Sequence, residues 1–127
     1  MKISFDFDST LSKTSVQNFC FSLLLKDYDI WITTSRIKEF NGAIHYHDDL
    51  MLVANSLCIS EDKIHFTNTE FKAPYLEENN FNIHIDDDIF QLKELEGTNV
   101  IGIDVNDKQW KEKVLFIIGE RIYEHNW

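Results

Sequence analysis

The stretch Ile3-Ser4-Phe5-Asp6-Phe7-Asp8-Ser9-Thr10-Leu11 runs from apolar, β-prone residues into two acids and two hydroxyls. In a strand, successive side chains alternate sides, so Asp6 and Asp8 should project one way and Phe5 and Phe7 the other. Carboxylates two residues apart repel each other and favour a cation between them. Ser9 and Thr10 interrupt the strand pattern, which sets the acids at or just past its C-terminal end. In an open α/β sheet that is where ligands bind. The plain alternative is a solvated Asp-Ser turn after an edge strand. What decides between the two lies further along the chain.

Working outward, Ser12-Lys13-Thr14-Ser15 offers helix N-cap candidates, and Val16, Phe19, Cys20, Leu23 and Leu24 recur at helical spacing to about Lys26. Ile30-Trp31-Ile32-Thr33-Thr34 is a second apolar strand, so strand, helix and strand follow one another as in a parallel crossover. An irregular link with the turn signal Asn41-Gly42 leads to a helix over His47–Leu57, whose inner stripe is Leu50, Val53, Ala54, Leu57 and Cys58. A third strand follows over Lys63–Thr67. Asn68 or Thr69 is placed to cap a short helix reaching Asn79, with Pro74 in its first turns. Phe81–Asp86 is the fourth strand, and Asp88 caps a fourth helix that Gly97 closes at C′. Asn99–Ile103 is the fifth strand, and a last helix carries Trp110, Val114, Ile117, Ile118 and Ile122. Five strands alternating with helices predict one domain over 1–127: a doubly wound, Rossmann-like parallel sheet with helices on both faces.

Composition narrows the function classes. The chain has 127 residues, 43% of them hydrophobic, enough for one well-filled core that buries roughly two-thirds of the unfolded surface. Its formal net charge of −10 opposes nucleic acid as a partner without forbidding it, and opposes any phosphorylated substrate unless a cation offsets it. Cys20 and Cys58 are the only cysteines and both fall in apolar helical patterns, so they read as reduced core residues of a cytoplasmic protein. Met1-Lys2 leads straight into the first strand, so no leader peptide is expected, and no apolar run is long enough for a membrane span.

Four strand ends carry polar residues of particular types. Asp6 and Asp8 follow the first, Thr33 and Thr34 end the second, Lys72 comes early in the helix after the third, and Asp86, Asp87 and Asp88 end the fourth. A parallel sheet gathers its strand C-termini on one edge, and for these residues to meet beside Asp6 from both sides the first strand must be central, in the order 3-2-1-4-5. Carboxylates, a hydroxyl and an ammonium gathered there can hold a hard divalent cation and still grip a phosphoryl group.

At these positions the chain resembles the haloacid dehalogenase superfamily of phosphohydrolases. Asp6-Phe7-Asp8-Ser9-Thr10 matches the family's Asp-x-Asp-x-Thr motif, with Ser9 where the family most often has Gly. Thr34 is the better match to its strand-ending Thr or Ser, Lys72 to its lone basic residue, and Asp86-Asp87 to its acidic pair. The resemblance spans roughly Met1 to Ile103. It implies a Mg²⁺-dependent phosphomonoester hydrolase working through an aspartyl-phosphate. Asp6 would be the nucleophile, and Asp8 the general acid and then the general base. Mg²⁺ would be held by Asp6, the backbone carbonyl of Asp8, and Asp86, with Asp87 assisting. Thr34 would contact the phosphoryl oxygens, Lys72 would neutralise charge, and Ser35 and Arg36 would lie toward substrate.

Each assignment has a plainer counterpart. Lys72 could be a solvated helix residue, and Arg36 a surface arginine. Lys63 competes with Lys72 but begins its strand and should point to the wrong sheet edge. Asp88 reads as a helix cap rather than a ligand. His45 and His47 match no zinc pattern, although their loop lies at the active edge. His65 and His84 lie inside strands and read as structural. Neither gap around the second strand has room for the cap domain that the family's small-molecule enzymes carry. An open site is therefore expected, one that suits a bulky phosphorylated substrate or a cap from another subunit. A non-catalytic binding module on the same fold is the alternative. A response-regulator receiver domain fits poorly, because the third strand ends Phe66-Thr67-Asn68 and no Lys follows Ile103.

Overall fold

The strand Lys2–Phe5 (β1) is the middle of the sheet in a computed structural model that describes residues 1–39, 41–42 and 44–119. On one side β1 pairs in parallel with Asp29–Thr34 (β2), which pairs with Ile64–Phe66 (β3). On the other it pairs with Ile83–Asp86 (β4), which pairs with Ile101–Asp104 (β5). The order is 3-2-1-4-5, all parallel, as expected if the strand-end residues are to meet beside Asp6 from both sides. The helices are Thr14–Leu24 (α1), Asp48–Ser56 (α2), Ala73–Glu78 (α3), Ile89–Glu94 (α4) and Trp110–Ile118 (α5). Among the described residues there is no cap domain, and no helix is long and apolar enough to cross a membrane. The expected helical position of Ile122 lies outside the described residues.

The two faces of the sheet are unlike. Ile3 and Phe5, Ile30 and Ile32, and Ile83 and Ile85 alternate onto one face, where they pack with Phe19 and Leu23 of α1, Leu50 of α2 and Val114 of α5. On the other face Leu76 of α3, Phe81, Leu95 and Val100 form a smaller cluster. Between that cluster and the sheet, the central strands turn Ser4, Thr33 and His84 inward, all fully buried. Ser4 stands opposite His84 across the β1–β4 pair. The same alternation carries this polar row upward to Asp6 and Asp86.

Several local expectations are corrected. None of Ser12, Thr14 or Ser15 caps α1 through its side chain. The N-cap is Lys13, whose carbonyl accepts from Val16 and Gln17, while Ser12 Oγ accepts from the Ser9 N–H at 3.1 Å. Asn68 and Thr69 do not cap α3 but occupy left-handed turn positions at φ 55° and 70°. The helix starts later, with Lys72 itself as N-cap and Pro74 in the first turn. Gly97, at φ 82°, lies three residues past the last residue of α4, in the turn after the helix rather than at C′. Cys20 is buried as expected, and burial pushes its thiol up to about 12. Cys58 is not a core residue: it is exposed, at φ 59°, just past α2. Lys63 bonds Asp29 Oδ1 at 2.8 Å, at the sheet edge opposite the acids.

Candidate active site

The strand ladder ends with the Asp6 N–H donating to Ile85 O at 2.8 Å, so Asp6 and the end of β4 are locked side by side. The chain then makes a wide turn over Phe7–Leu11, closed by Leu11 N–H to Asp6 O and Ser12 N–H to Phe7 O. Ser9 sits in the left-handed region, at φ 59° and ψ 15°. That conformation gives a physical reason for glycine at the equivalent place in the resembled motif, since an L-residue there crowds its Cβ. Phe5 and Phe7 are buried in the core, as alternation predicts.

Lys72 brings the site together. Its Nζ lies 2.8 Å from Asp6 Oδ1 and 2.7 Å from Asp86 Oδ2, with the side chain only 2% exposed. Its backbone N–H is taken by Gln91 Oε1 at 3.0 Å, which ties the start of α3 to α4. Gly102 on β5 lets α4 approach, since a Cβ there would meet Leu92 Cδ2 at 3.0 Å. Asp86 is saturated on one side. Oδ2 accepts from Lys72 Nζ and pairs with His84 Nε2 at 2.7 Å, while Oδ1 accepts the Asp88 N–H at 3.0 Å. Thr10 Oγ1 lies 3.1 Å from Asp6 Oδ2 and 3.2 Å from Asp87 Oδ1. Having one proton, it can donate to only one of them at a time.

Charge is unbalanced here. Burial pushes Asp6 up to about 8, against the pull of the Lys72 ammonium, and the neighbouring Asp86 adds to the rise. Burial also acts to raise Asp86, but the His84 hydrogen bond and the Lys72 charge outweigh it and hold Asp86 below the usual carboxylate range. Lys72 is raised, because Asp6 and Asp86 outweigh its own desolvation. Burial lowers His84, against the pull of Asp86. Among the described residues, Asp6, Asp86 and Asp87 can each bring one oxygen within 4.8 Å of the others. Three carboxylates against one ammonium form a hard, oxygen-only donor set that fits a divalent cation such as Mg²⁺ with room for further ligands.

The other expected residues divide. Asp8 lines the same open cavity of about 410 Å³ as Asp6, Lys72, Asp86 and Asp87, but its carboxylate is not in the triad. Both its oxygens accept from Arg36: Oδ2 from Nε at 2.9 Å and Oδ1 from Nη2 at 2.7 Å. Arg36 forks a second time, donating from Nη1 and Nη2 to Asp49 Oδ1 and Oδ2, both at 2.8 Å. Its guanidinium also lies over the Phe7 ring, 5.1 Å from the centroid. The Asp49 and Asp8 bonds hold Arg36 firmly protonated, and Arg36 in turn draws Asp49 down to about 2. Ser35 lines the cavity, whereas Thr34 is fully buried and its Oγ1 accepts from the Arg36 N–H at 3.2 Å. Asp88 caps α4, accepting from the Phe90 N–H at 2.9 Å, as read from the sequence. His45 pairs with Asp48, and His47 Nε2 donates to the carbonyls of Ile37 and Lys38. Neither lines this cavity. His65 stacks on Tyr75, centroids 3.5 Å apart, away from the site.

Three partners escaped the sequence reading. His84 was legible as a polar residue on the same strand face as Asp86, two positions before it. Thr10 lay inside the quoted motif with no role attached. Asp49 carried no signal, because nothing in the sequence pairs the first turn of α2 with the residue that follows the second strand.

No family model and no curated protein matches the chain. Among solved structures it is similar to the crystal structure of an uncharacterized protein from Corynebacterium glutamicum ATCC 13032 Kitasato. The two share 14% identity over 94% of this chain and 96% of that one, with a TM-score of 0.61. At that identity the likeness concerns the fold alone.

Proposed function

We propose that this chain is a Mg²⁺-dependent phosphomonoester hydrolase of the haloacid dehalogenase type, cytoplasmic, with an open site. The observation that carries the reading is the position of Lys72, its Nζ shared between the carboxylates that end β1 and β4. Asp6 attacks phosphorus, its oxygen bonding to the phosphoryl group as the ester oxygen departs with the electron pair of the breaking bond. Water then attacks the aspartyl-phosphate, the Asp6–phosphorus bond breaks, and Asp8 takes the proton of that water. With both oxygens accepting from Arg36, Asp8 is already set for this second role. To protonate a departing alkoxide it has to give up one of those bonds. Lys72 offsets charge on Asp6 and the phosphoryl group, and Ser35 borders the space the phosphoryl group would fill. A divalent cation held by Asp6, Asp86 and Asp87 would supply charge neutralisation for the phosphoryl oxygens.

The substrate is a phosphomonoester small enough, or projecting enough, to reach an uncovered edge. Exposed Ile89 and Phe90 line the cavity next to the acids and offer apolar contact to the group that carries the phosphate. The test is turnover of a panel of phosphomonoesters with Mg²⁺, with rapid quenching and mass spectrometry of the protein. Phosphate on Asp6 is expected. Turnover with phosphate on Asp8 or on a histidine would overturn the role assignment, and no turnover across the panel would remove the reading.

A further inference from the structure

The donor set of Asp86 has a consequence for a residue that the phosphoryl chemistry does not use. A carboxylate oxygen offers two lone pairs. On Asp86 Oδ2 both are engaged, one by Lys72 Nζ and one by the His84 ring, each at 2.7 Å. Oδ1 spends one on the Asp88 N–H and keeps one free. A cation shared with Asp6 and Asp87 therefore has a single open position on Asp86, and the rotation of the carboxylate decides where that position points.

We infer that His84 is a positioning residue for the metal site: its Nε2–H fixes the plane of the Asp86 carboxylate so that Oδ1 presents its free lone pair to the cation. Lys72 cannot do this alone, because its ammonium is shared with Asp6 and has no preferred plane. The imidazole has one. It is fully buried, and its Nδ1 lies 3.0 Å from Ser4 Oγ, which is itself bonded to Thr33 Oγ1 at 2.7 Å. The row Thr33–Ser4–His84–Asp86 crosses β2, β1 and β4, so the ligand is braced against three strands. A plain core role would ask only that the ring fill space, and a leucine or phenylalanine would do that without burying polar groups. Partners of ligating residues typically influence metal affinity by about 10–100-fold.

The inference rests on the metal half of the proposed function and is tested without a substrate. Mg²⁺ affinity of the full chain is measured by calorimetry and by the Mg²⁺-dependent shift in Tm. A glutamine at this site places an N–H₂ donor where Nε2 stands, whereas the shorter asparagine reaches only the position of Nδ1. His84→Gln should stay within about threefold of wild type, and His84→Asn should lose about 10–100-fold. Should His84→Asn fail to fold, Ser4→Ala loosens the far end of the same brace. It should weaken Mg²⁺ binding in the same direction, by less. Equal affinities for wild type, His84→Asn and Ser4→Ala would overturn the inference, and so would a wild type that binds no Mg²⁺. A wild type that binds Mg²⁺, loses affinity in His84→Asn and hydrolyses no phosphoester would support it while sinking the phosphatase reading.

Discussion

The proposed nucleophile, Asp6, sits in a place that favours its neutral form. Its carboxyl titrates near 3.8 in the unfolded chain and is pushed up to about 8 in the fold. Between those values the native state holds a proton that the unfolded chain releases. The stabilisation is therefore full below about pH 3.8 and is lost as pH rises toward 8. His84 and His65, both lowered from 6.5, work in the opposite sense, fading about one pH unit above that value. Asp86, held low, acts only below 3.8. The unfolded imidazoles have released most of their protons by about pH 7.5, so from there to about pH 8.5 the slope belongs to Asp6. The metal-free Tm should fall across that window, and Asp6→Asn should flatten the fall and melt higher than wild type at pH 8. Mg²⁺ should raise the wild-type Tm most at the alkaline end, because a ligand bound only by the native state stabilises it. A slope that persists in Asp6→Asn would assign it to another group.

At the scale of elements, the turn after β1 and the link after β2 do most to shape the site. Ser9 carries the left-handed turn at a cost of about 1–2 kcal/mol for an L-residue, which glycine avoids at the expense of about 0.5–1 kcal/mol of chain entropy. Ser9→Gly should therefore stabilise by about 0 to 1.5 kcal/mol. Ser9→Val should destabilise and lower activity by misplacing Asp8, and denaturant unfolding alongside turnover checks both. Arg36 joins three elements, with Asp8 from the β1 turn, its own position after β2, and Asp49 from the first turn of α2. A lysine cannot serve two forks. Arg36→Lys should cost about 10²-fold in kcat/KM through misplacement of Asp8. A loss of Tm with unchanged kcat/KM would mark a purely structural tie. The strands and the triad of Asp6, Asp86 and Asp87 were legible in the sequence, because alternation and strand-end position are local patterns, and the strand order followed from the need for those residues to meet beside Asp6. The start of α4 was legible too, since Asp88 caps it as read, but the starts of α1 and α3 were not. Lys13 and Lys72 occupy N-cap positions that backbone geometry and Pro74 impose, while the better-suited Ser and Thr residues serve turns instead. The Arg36–Asp49 fork was beyond reach as well, because it is a tertiary contact between residues on different elements that no periodicity marks.

For the whole molecule, the net charge of −10 and the uncovered sheet edge pull in different directions. An open site admits large substrates, but an anionic protein repels an anionic one over roughly a Debye length, about 8–10 Å at physiological salt. The positive charge next to the cavity is not free to compensate. Lys72 is shared by two carboxylates and Arg36 by two others. Under the proposed function, attraction for phosphate would therefore act only at contact range, once the cation and Lys72 face the phosphoryl group, and would not steer approach from a distance. This predicts a sign. With saturating Mg²⁺, kcat/KM for a small, doubly charged phosphomonoester should rise with ionic strength from about 0.02 to 0.2 M, because salt screens the repulsion. For a 3′-phosphorylated oligonucleotide the rise should be steeper, as every added phosphate increases the repulsion. A protein that recognised nucleic acid through a basic face would show the reverse, losing affinity steeply as salt displaces it. Initial rates over that salt range, with chloride as the anion and Mg²⁺ activity held constant, decide between the two. A falling kcat/KM for the oligonucleotide would mean that a local basic surface overrides the net charge, and that polynucleotide ends belong among the substrates.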